Sequence, residues 1–299
     1  MNSKKKLAML GGDLRQYTAA VMLGKKNWDV KVWGLTTAGE ERKGVTFFSS
    51  PEEAVAETEG VVLPLPASVD GLLLNCPFDA SDSRLRLNDL LSLLPPGQRI
   101  VGGKIPESFS ANAEAKGLRV FDYFHSEEFQ IQNAYTTAEA ALSIAMNRLN
   151  RTLFGAKIAI TGYGRIAKHL ARLLQNLGAT VTVAARKKSD LAWAESLGCL
   201  SLDLSREGAI RQLADGYDVI YNTVPHWLFD REFLERADPR TFLIDLASVP
   251  GGVDIGAAKE LGSNVLWATS LPGKYAPDSA GELIAHCVDR ILREEVETG

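Results

Sequence analysis

The chain has 299 residues, 45% of them hydrophobic and 23% charged, a globular balance that excludes disordered and collagen-like classes. Lysine and arginine total 33 against 37 acidic residues, a net charge of −4 that disfavours nucleic acid as a partner. No apolar run reaches the roughly 18 residues of a membrane span, and Leu7 to Leu10 after the basic start is too short for a secretory signal. A cytoplasmic protein with no membrane partner is expected. Cys76, Cys199 and Cys287 lie far apart and are odd in number, so neither a disulfide framework nor a metal site is expected.

Read in chain order, Lys6 to Leu10 predicts a strand closed by Gly11-Gly12, followed by a helix and a second strand over Val30 to Trp33. Val45 to Phe48 is a third strand, and Ser50-Pro51-Glu52-Glu53 opens a helix as a capping box with proline at its first position. Val61 to Leu65 predicts a strand, Asp82 to Leu94 a helix stopped by Pro95-Pro96, and Arg99 to Val101 a strand. A helix over Ser110 to Lys116 and a strand over Leu118 to Phe121 follow. Thr136-Thr137-Ala138-Glu139 reads as a capping box opening a long helix to about Leu153, and Ser279-Ala280-Gly281-Glu282 opens another to about Val296. Between them, strands are expected at Lys157 to Thr161, Thr180 to Ala184, Asp218 to Asn222, Phe242 to Leu246 and Val265 to Ala268. No internal repeat is visible. Strands alternating with helices throughout imply parallel sheets with helices on their faces. At roughly 150 residues per domain, the fold class is α/β with two doubly wound parallel-sheet domains joined by the two long helices. The expected first domain is flavodoxin- or Rossmann-like, binds substrate, and takes residues 1–135 with the returning helix 278–299. The second, 136–277, is an NAD(P)-binding Rossmann domain.

The nucleotide reading rests on Gly162-Tyr163-Gly164-Arg165-Ile166-Ala167, a G-x-G-x-x-A run between the strand Ile158-Ala159-Ile160 and a helix carrying Leu170, Leu173 and Leu174. Gly162 permits the turn, Gly164 lets a pyrophosphate approach, and the helix start presents N–H groups with Arg165 and Ile166 in its first turn. An NAD site usually has a carboxylate at the end of the next strand. Here that strand ends Ala184-Ala185-Arg186-Lys187-Lys188-Ser189, so NADP is preferred over NAD, with Arg186 on the 2′-phosphate and Lys187 beside it. Ala185, then Asn222, Thr223, Val224 and Pro225, then Leu246, Ala247 and Ser248 stand at strand ends bordering the cofactor crevice. In the first domain, Gly11-Gly12-Asp13-Leu14-Arg15-Gln16 has Gln16 where a small residue is needed, so no dinucleotide site is read there. The N–H groups of Gly11 and Gly12 with Arg15, and Lys104 after Gly102-Gly103, are expected at a substrate carboxylate. Of four histidines, His125 is best placed to move a proton.

The chain resembles the A subunits of dipicolinate synthase, a family of bacterial spore formation. The resemblance is carried by Leu10-Gly11-Gly12-Asp13-Leu14-Arg15-Gln16, Thr137-Ala138-Glu139-Ala140-Ala141, Gly162-Tyr163-Gly164-Arg165, the stretch Asp245 to Asp254, and Leu271-Pro272-Gly273-Lys274-Tyr275-Ala276-Pro277. It implies oxidation of a dihydrodipicolinate-level intermediate to pyridine-2,6-dicarboxylate with a nicotinamide cofactor, in the mother-cell cytoplasm during sporulation. It also implies a partner, the flavoprotein-like B subunit, while self-association stays open. For a dicarboxylate, Gly12, Arg15, Lys104 and Lys274 are the expected charge-meeting groups, Thr137 and Ser248 neutral donors, and His125 with Lys104 the catalytic pair. Two other readings remain: a 2-hydroxy-acid or amino-acid dehydrogenase of the same plan, and a nucleotide-binding subunit whose partner does the chemistry. Against a hydroxy-acid enzyme, no histidine lies between Asp245 and Asp254.

Overall fold

The structure, a computed structural model, describes residues 4–35, 43–78 and 85–297. In chain order it runs β1 (Lys5–Leu10), α1 (Leu14–Lys25), β2 (Trp28–Trp33), β3 (Val45–Phe47), α2 (Pro51–Val55), β4 (Gly60–Val62) and α3 (Leu87–Leu90). Then come β5 (Arg99–Gly102), α4 (Glu107–Ala115), β6 (Arg119–Asp122), α5 (Glu127–Arg148), β7 (Lys157–Thr161), α6 (Arg165–Asn176) and β8 (Thr180–Ala185). The chain continues through α7 (Lys188–Ser196), β9 (Leu200–Asp203), β10 (Val219–Asn222), α8 (Arg231–Arg236), β11 (Phe242–Asp245) and α9 (Ile255–Leu261). It ends with β12 (Val265–Trp267), α10 (Leu271–Tyr275) and α11 (Pro277–Glu297). Among the described residues no helix is long and apolar enough to cross a membrane.

The chain forms two compact units, one reaching to Asn133 and resuming at Ala276, the other Ala134–Tyr275. Unit 1 holds a parallel sheet in the order β3-β2-β1-β4-β5-β6, and unit 2 one in the order β12-β11-β10-β7-β8-β9. Read from its other edge, the second order is the first one again, the doubly wound pattern with its switch beside the first strand. Both faces of each sheet are covered, so the central strands are apolar on both sides. In β1, Leu7 and Met9 enter one core while Ala8 and Leu10 enter the other. In β7, Ile158 and Ile160 face one core and Ala159 the opposite one.

Within unit 1, α11 docks on α1. Leu283, Ile284, Cys287, Val288 and Leu292 join the core that takes Ala19, Ala20 and Leu23. Burying a side chain such as Leu292 is worth about 1.5–3 kcal/mol. The polar lock on this packing is Asp289, which accepts from buried Trp28 Nε1 at 2.8 Å, from Arg293 Nε at 2.8 Å and from Lys26 Nζ at 3.1 Å. The first turns of α5 meet α11 in the same core through Phe129, and Glu128 pairs with Arg290.

Three expectations need correction. The helix expected from Thr136 begins nine residues earlier, at Glu127, so Thr136-Thr137-Ala138-Glu139 lies inside it and caps nothing. Ser126 accepts the first helical bond through its carbonyl from Gln130 N, and Glu127 and Glu128 fill the first turn, where acidic residues suit the helix dipole. The helix expected over Asp82 to Leu94 is a single turn, α3, and its first residues lie outside the described ones. The edge strand β9 has no counterpart among the expected strands, because Leu200-Ser201-Leu202-Asp203 is half exposed and carries a weak apolar pattern.

Asp289 gives a test of the lock. Its partial burial pushes the carboxyl up, but the bonds from Trp28, Arg293 and Lys26 outweigh this and hold it below the usual carboxylate range. A group whose pKa falls on folding stabilises above its unfolded value, near 4, and that stability is lost as pH falls through the folded value. Asp289→Ala should cost about 1–3 kcal/mol at pH 7 by leaving Trp28 Nε1 buried without an acceptor. Asp289→Asn should flatten the acid limb of a urea-unfolding series taken from pH 6 to pH 2.

Candidate functional site

β7 ends at Thr161, and the chain turns through Gly162-Tyr163-Gly164 into α6. Gly162 has φ +84°, and a Cβ on it would lie 2.7 Å from Thr223 Oγ1 and 2.9 Å from Val224 Cγ2. Only glycine meets both demands. Its N–H donates to Ala184 O at 2.8 Å, tying the turn to the neighbouring strand. Gly164 is the N-cap of α6 and no side chain caps this helix, while a Cβ on Gly164 would meet nothing within 4 Å. Open space above an uncapped helix start is the room, and the partial positive charge, that a pyrophosphate requires. Fully buried Ala167 brings α6 close to the sheet.

Along the same edge, β8 ends at Ala185, followed by exposed Arg186 and Lys187. The sequence shows no acid at this strand end, but the sheet supplies one from the neighbouring strand, since Asp203 of β9 pairs in register with Ala185. Hydrogen bonds from Ser205, then from Lys188 at 2.9 Å, hold Asp203 far below the ordinary carboxylate range. Arg206 adds an ion pair at 3.6 Å. Lys188 and Arg206 are thus occupied, whereas Arg186 and Lys187 pair with no described residue.

The other half of the edge is organised by a buried carboxylate. Asp245 and Asn222 are both wholly inaccessible. Asp245 accepts from Asn222 Nδ2 at 2.7 Å, from Ala247 N at 3.0 Å and from Gly252 N at 2.8 Å. Asn222 Oδ1 in turn accepts from Thr161 Oγ1 at 2.5 Å and Val224 N at 3.1 Å. The ends of β7, β10 and β11 are therefore one hydrogen-bonded unit, which fixes both the Thr223-Val224-Pro225 segment and the Leu246-Ala247-Ser248 segment. Leu246 and Ala247 are buried, and Ser248 and Pro225 are exposed. Neither Asp245 nor Thr161 stands out in the sequence as a site residue. Their only signal is a polar residue closing an apolar strand.

In unit 1, the N–H groups of Gly11 and Gly12 are already used, donating to Trp33 O and Asn75 O at 2.8 Å each. This corrects the expectation that Gly12 and Gly11 serve a substrate through their backbone. A Cβ on Gly11 would lie 2.6 Å from Cys76 Sγ and 2.8 Å from Asn75 O, so the chain itself fills the place over the first glycine. Arg15 is buried and gripped by Asp13, with Nε at 2.9 Å from Oδ1 and Nη2 at 2.7 Å from Oδ2. Nη2 also donates to Leu65 O at 2.6 Å, which leaves the Nη1 edge without a bond among the described residues. Lys104 follows β5 with φ +51° and lays its ammonium 4.6 Å from the Phe124 ring centroid. Its N–H, with those of Ile105 and Phe124, donates to Asp122. Asp122 also faces exposed His125 at 3.6 Å, so Lys104 and His125 meet around one carboxylate.

Arg15, Lys104 and His125 all lie at the carboxyl edge of the unit 1 sheet. Thr137 is buried in α5, and Ser248 and Lys274 are exposed, all three within unit 2. Gln16 Nε2 and Tyr123 Oη are buried and have no hydrogen-bond partner among the described residues. A cavity of about 1120 Å³ lies at the opposite edge of the unit 2 sheet, beside Lys157 and Asp218. Two of its four cations are taken up by Arg151–Asp218 and Arg240–Asp238 pairs at 2.8 and 2.7 Å, and no glycine-rich phosphate turn borders it. The nucleotide crevice is therefore the open edge around Gly164.

Comparison with known proteins agrees with this geometry. Residues 6–124 match the N-terminal domain of the dipicolinate synthase A subunit, and residues 125–249 match the NAD binding domain of D-isomer specific 2-hydroxyacid dehydrogenases. The dipicolinate synthase A subunit of Bacillus subtilis (strain 168) is 26% identical over 97% of this chain and 96% of its own. The crystal structure of the B. subtilis A subunit superposes with a TM-score of 0.86, covering 100% of this chain and 99% of that one. The dipicolinate synthase A subunit from Bacillus halodurans gives 0.85 at 26% identity, covering 98% and 99%. A Sinorhizobium meliloti transhydrogenase, 16% identical with a TM-score of 0.64 over 97% and 94%, shares the fold. With the two halves of the chain matched in turn and whole-length likeness at 26% identity, the chain is similar throughout to dipicolinate synthase A subunits and carries a dehydrogenase-type NAD-binding domain.

Proposed function

We propose that the chain is the NADP-dependent oxidoreductase subunit that takes a dihydrodipicolinate-level intermediate to pyridine-2,6-dicarboxylate, with unit 1 as the substrate domain. The observation that carries the nucleotide part is the uncapped α6 start under open space at Gly164. Gly162, Gly164, Arg165 and Ile166 would hold the pyrophosphate, Ala185, Arg186 and Lys187 the adenosine end, and the segments from Asn222 and Leu246 the nicotinamide end. When bound, the nicotinamide supplies the acceptor for the hydride that leaves as the ring becomes aromatic.

The remaining work falls to the chain's own residues. Arg15 through Nη1 and Lys104, both of unit 1, would meet the carboxylates. His125, held at 3.6 Å from Asp122, would take the proton lost with the hydride. The exposed position of the ring lets that proton pass to water. Whole-length likeness to proteins named as one lettered component of a synthase supports a second component, which we take to be the B subunit.

Three outcomes test this reading. Arg186→Asp should weaken NADPH by about 1.5–3 kcal/mol in calorimetric titration, the range for a hydrogen bond to a charged group, and leave NADH unchanged. Equal losses for both would remove the 2′-phosphate role. Asp245→Asn turns an amide donor toward the N–H of Gly252 or the amide of Asn222, which disorders only the nicotinamide side. It should weaken NADPH about tenfold or more while 2′,5′-ADP binds as before. Finally, His125→Ala should slow the appearance of pyridine-dicarboxylate absorbance about 10²-fold, measured with the partner subunit present. A wild-type rate would place the base elsewhere.

A further inference from the structure

Buried hydrogen-bonding groups nearly always have partners, and one that does not destabilises the fold. Among the described residues three buried side-chain atoms lack one: Gln98 Oε1, Gln16 Nε2 and Tyr123 Oη. Gln98 stands apart, with its Nε2 bonded to Thr58. The other two are both in unit 1, and a Cβ on Gly12 would lie 2.6 Å from Gln16 Cβ and 3.2 Å from Pro64 Cβ, which places Gln16 beside the residue that precedes Leu65. Gln16 follows Arg15 in the first turn of α1 and is 1% exposed, and Tyr123 follows β6 and is 2% exposed. Arg15 Nη2 reaches Leu65 O at 2.6 Å. A Cβ on Gly103 would touch Leu65 Cδ1 at 2.7 Å and the Tyr123 ring at 2.9 Å, so the backbone at Gly103 lies against both. The Arg15 guanidinium and the Tyr123 hydroxyl are close enough to act on each other electrostatically.

The chemistry left over here is one-sided. Asp13, the nearby anion, already receives Nε and Nη2 of Arg15 and the backbone N–H of the same residue. Burial pushes the Tyr123 hydroxyl far above its ordinary pKa, against the pull of Arg15, so it stays a neutral O–H donor. An amide N–H₂, a phenol O–H and the Nη1 edge of a guanidinium are all donors. Their complement is a group that only accepts, with two oxygens and a negative charge.

We infer that Gln16, Tyr123 and the Nη1 edge of Arg15 form a carboxylate-binding site in unit 1, an assignment that rests on reading this unit as the substrate domain. The unpaired atoms are the stability given up so that donors stand ready for the ligand. Because both are shut from solvent, the carboxylate displaces covering side chains as it enters.

The test uses the full chain saturated with NADPH, the variants Tyr123→Phe and Gln16→Met, and two probes, pyridine-2,6-dicarboxylate and pyridine-2-carboxylate. Removing an unpartnered hydroxyl should leave the melting temperature of Tyr123→Phe unchanged or higher. The same variant should bind pyridine-2,6-dicarboxylate about 10- to 100-fold more weakly by calorimetry, with NADPH affinity as in wild type. Gln16→Met should behave alike, which guards against a folding defect in either one. Wild-type carboxylate affinity in both variants overturns the site, as does a wild-type chain that binds neither probe. A chain that binds pyridine-2-carboxylate but not the dicarboxylate, with the loss in Tyr123→Phe, upholds the site and overturns the substrate proposed above.

Discussion

In a parallel sheet all strands run one way, so the six carboxyl ends of unit 2 emerge along a single edge, and every feature of its nucleotide crevice follows from that. The glycine turn after β7, the cations after β8 and the segments after β10 and β11 are distant in sequence yet neighbours there. The edge has to stay open to a ligand and still be ordered. Asp245 meets that requirement from below by accepting three donors out of reach of water. A buried carboxylate with no cation is tolerable only when hydrogen bonds replace its hydration, and these do so from the loop after β11 and from a neighbouring strand. The network stiffens the nicotinamide side, while the phosphate side relies on backbone N–H groups and an absent Cβ.

Unit 1 repeats the strand order without repeating the chemistry. Its first glycine turn lies where a dinucleotide would lie, but Asn75 and Cys76 cover it, and Gln16 stands where the nucleotide unit has Ala167. The longer side chain at that position carries a buried amide where the nucleotide unit has a methyl group. The same topology thus yields one edge built for phosphates and another lined by donors and a paired arginine. A repeat of this kind is invisible to sequence comparison, because topology is set by where strands and helices alternate and not by which residues alternate.

How far the sequence can be read follows from the range of the interactions involved. The run Gly162 to Ala167 is legible because turn, phosphate approach and helix packing are all decided within six residues. The central strands of unit 1 are legible because a strand covered on both faces must be apolar throughout, as Leu7 to Leu10 is. The start of α5 is not, because Thr136-Thr137-Ala138-Glu139 has the composition of a cap, and only the burial of Phe129 in unit 1 carries the helix back to Glu127. Asp203 is hidden because it reaches the end of β8 across a strand pairing, and Asp245 because its partners lie 23, 2 and 7 residues away. His125 stands out by its titration range, whereas Tyr123, two residues earlier in an aromatic run, reads as ordinary core.

The two units place their buried polar groups in opposite ways, and the contrast bears on where stability and binding reside. Around Asp245 every donor finds an acceptor, so removing a partner there disturbs the fold and the cofactor segments together. Around Tyr123 and Gln16 donors remain without acceptors, so removing one costs the ligand-free protein nothing and can stabilise it. A satisfied network and an unsatisfied one also answer differently to a ligand. The first is complete beforehand and can only orient what arrives; the second is completed by what arrives, and so contributes affinity directly. On the reading proposed above, unit 2 would hold its cofactor by pre-set shape, and unit 1 would recognise charge through donors that the folded chain leaves unpaired.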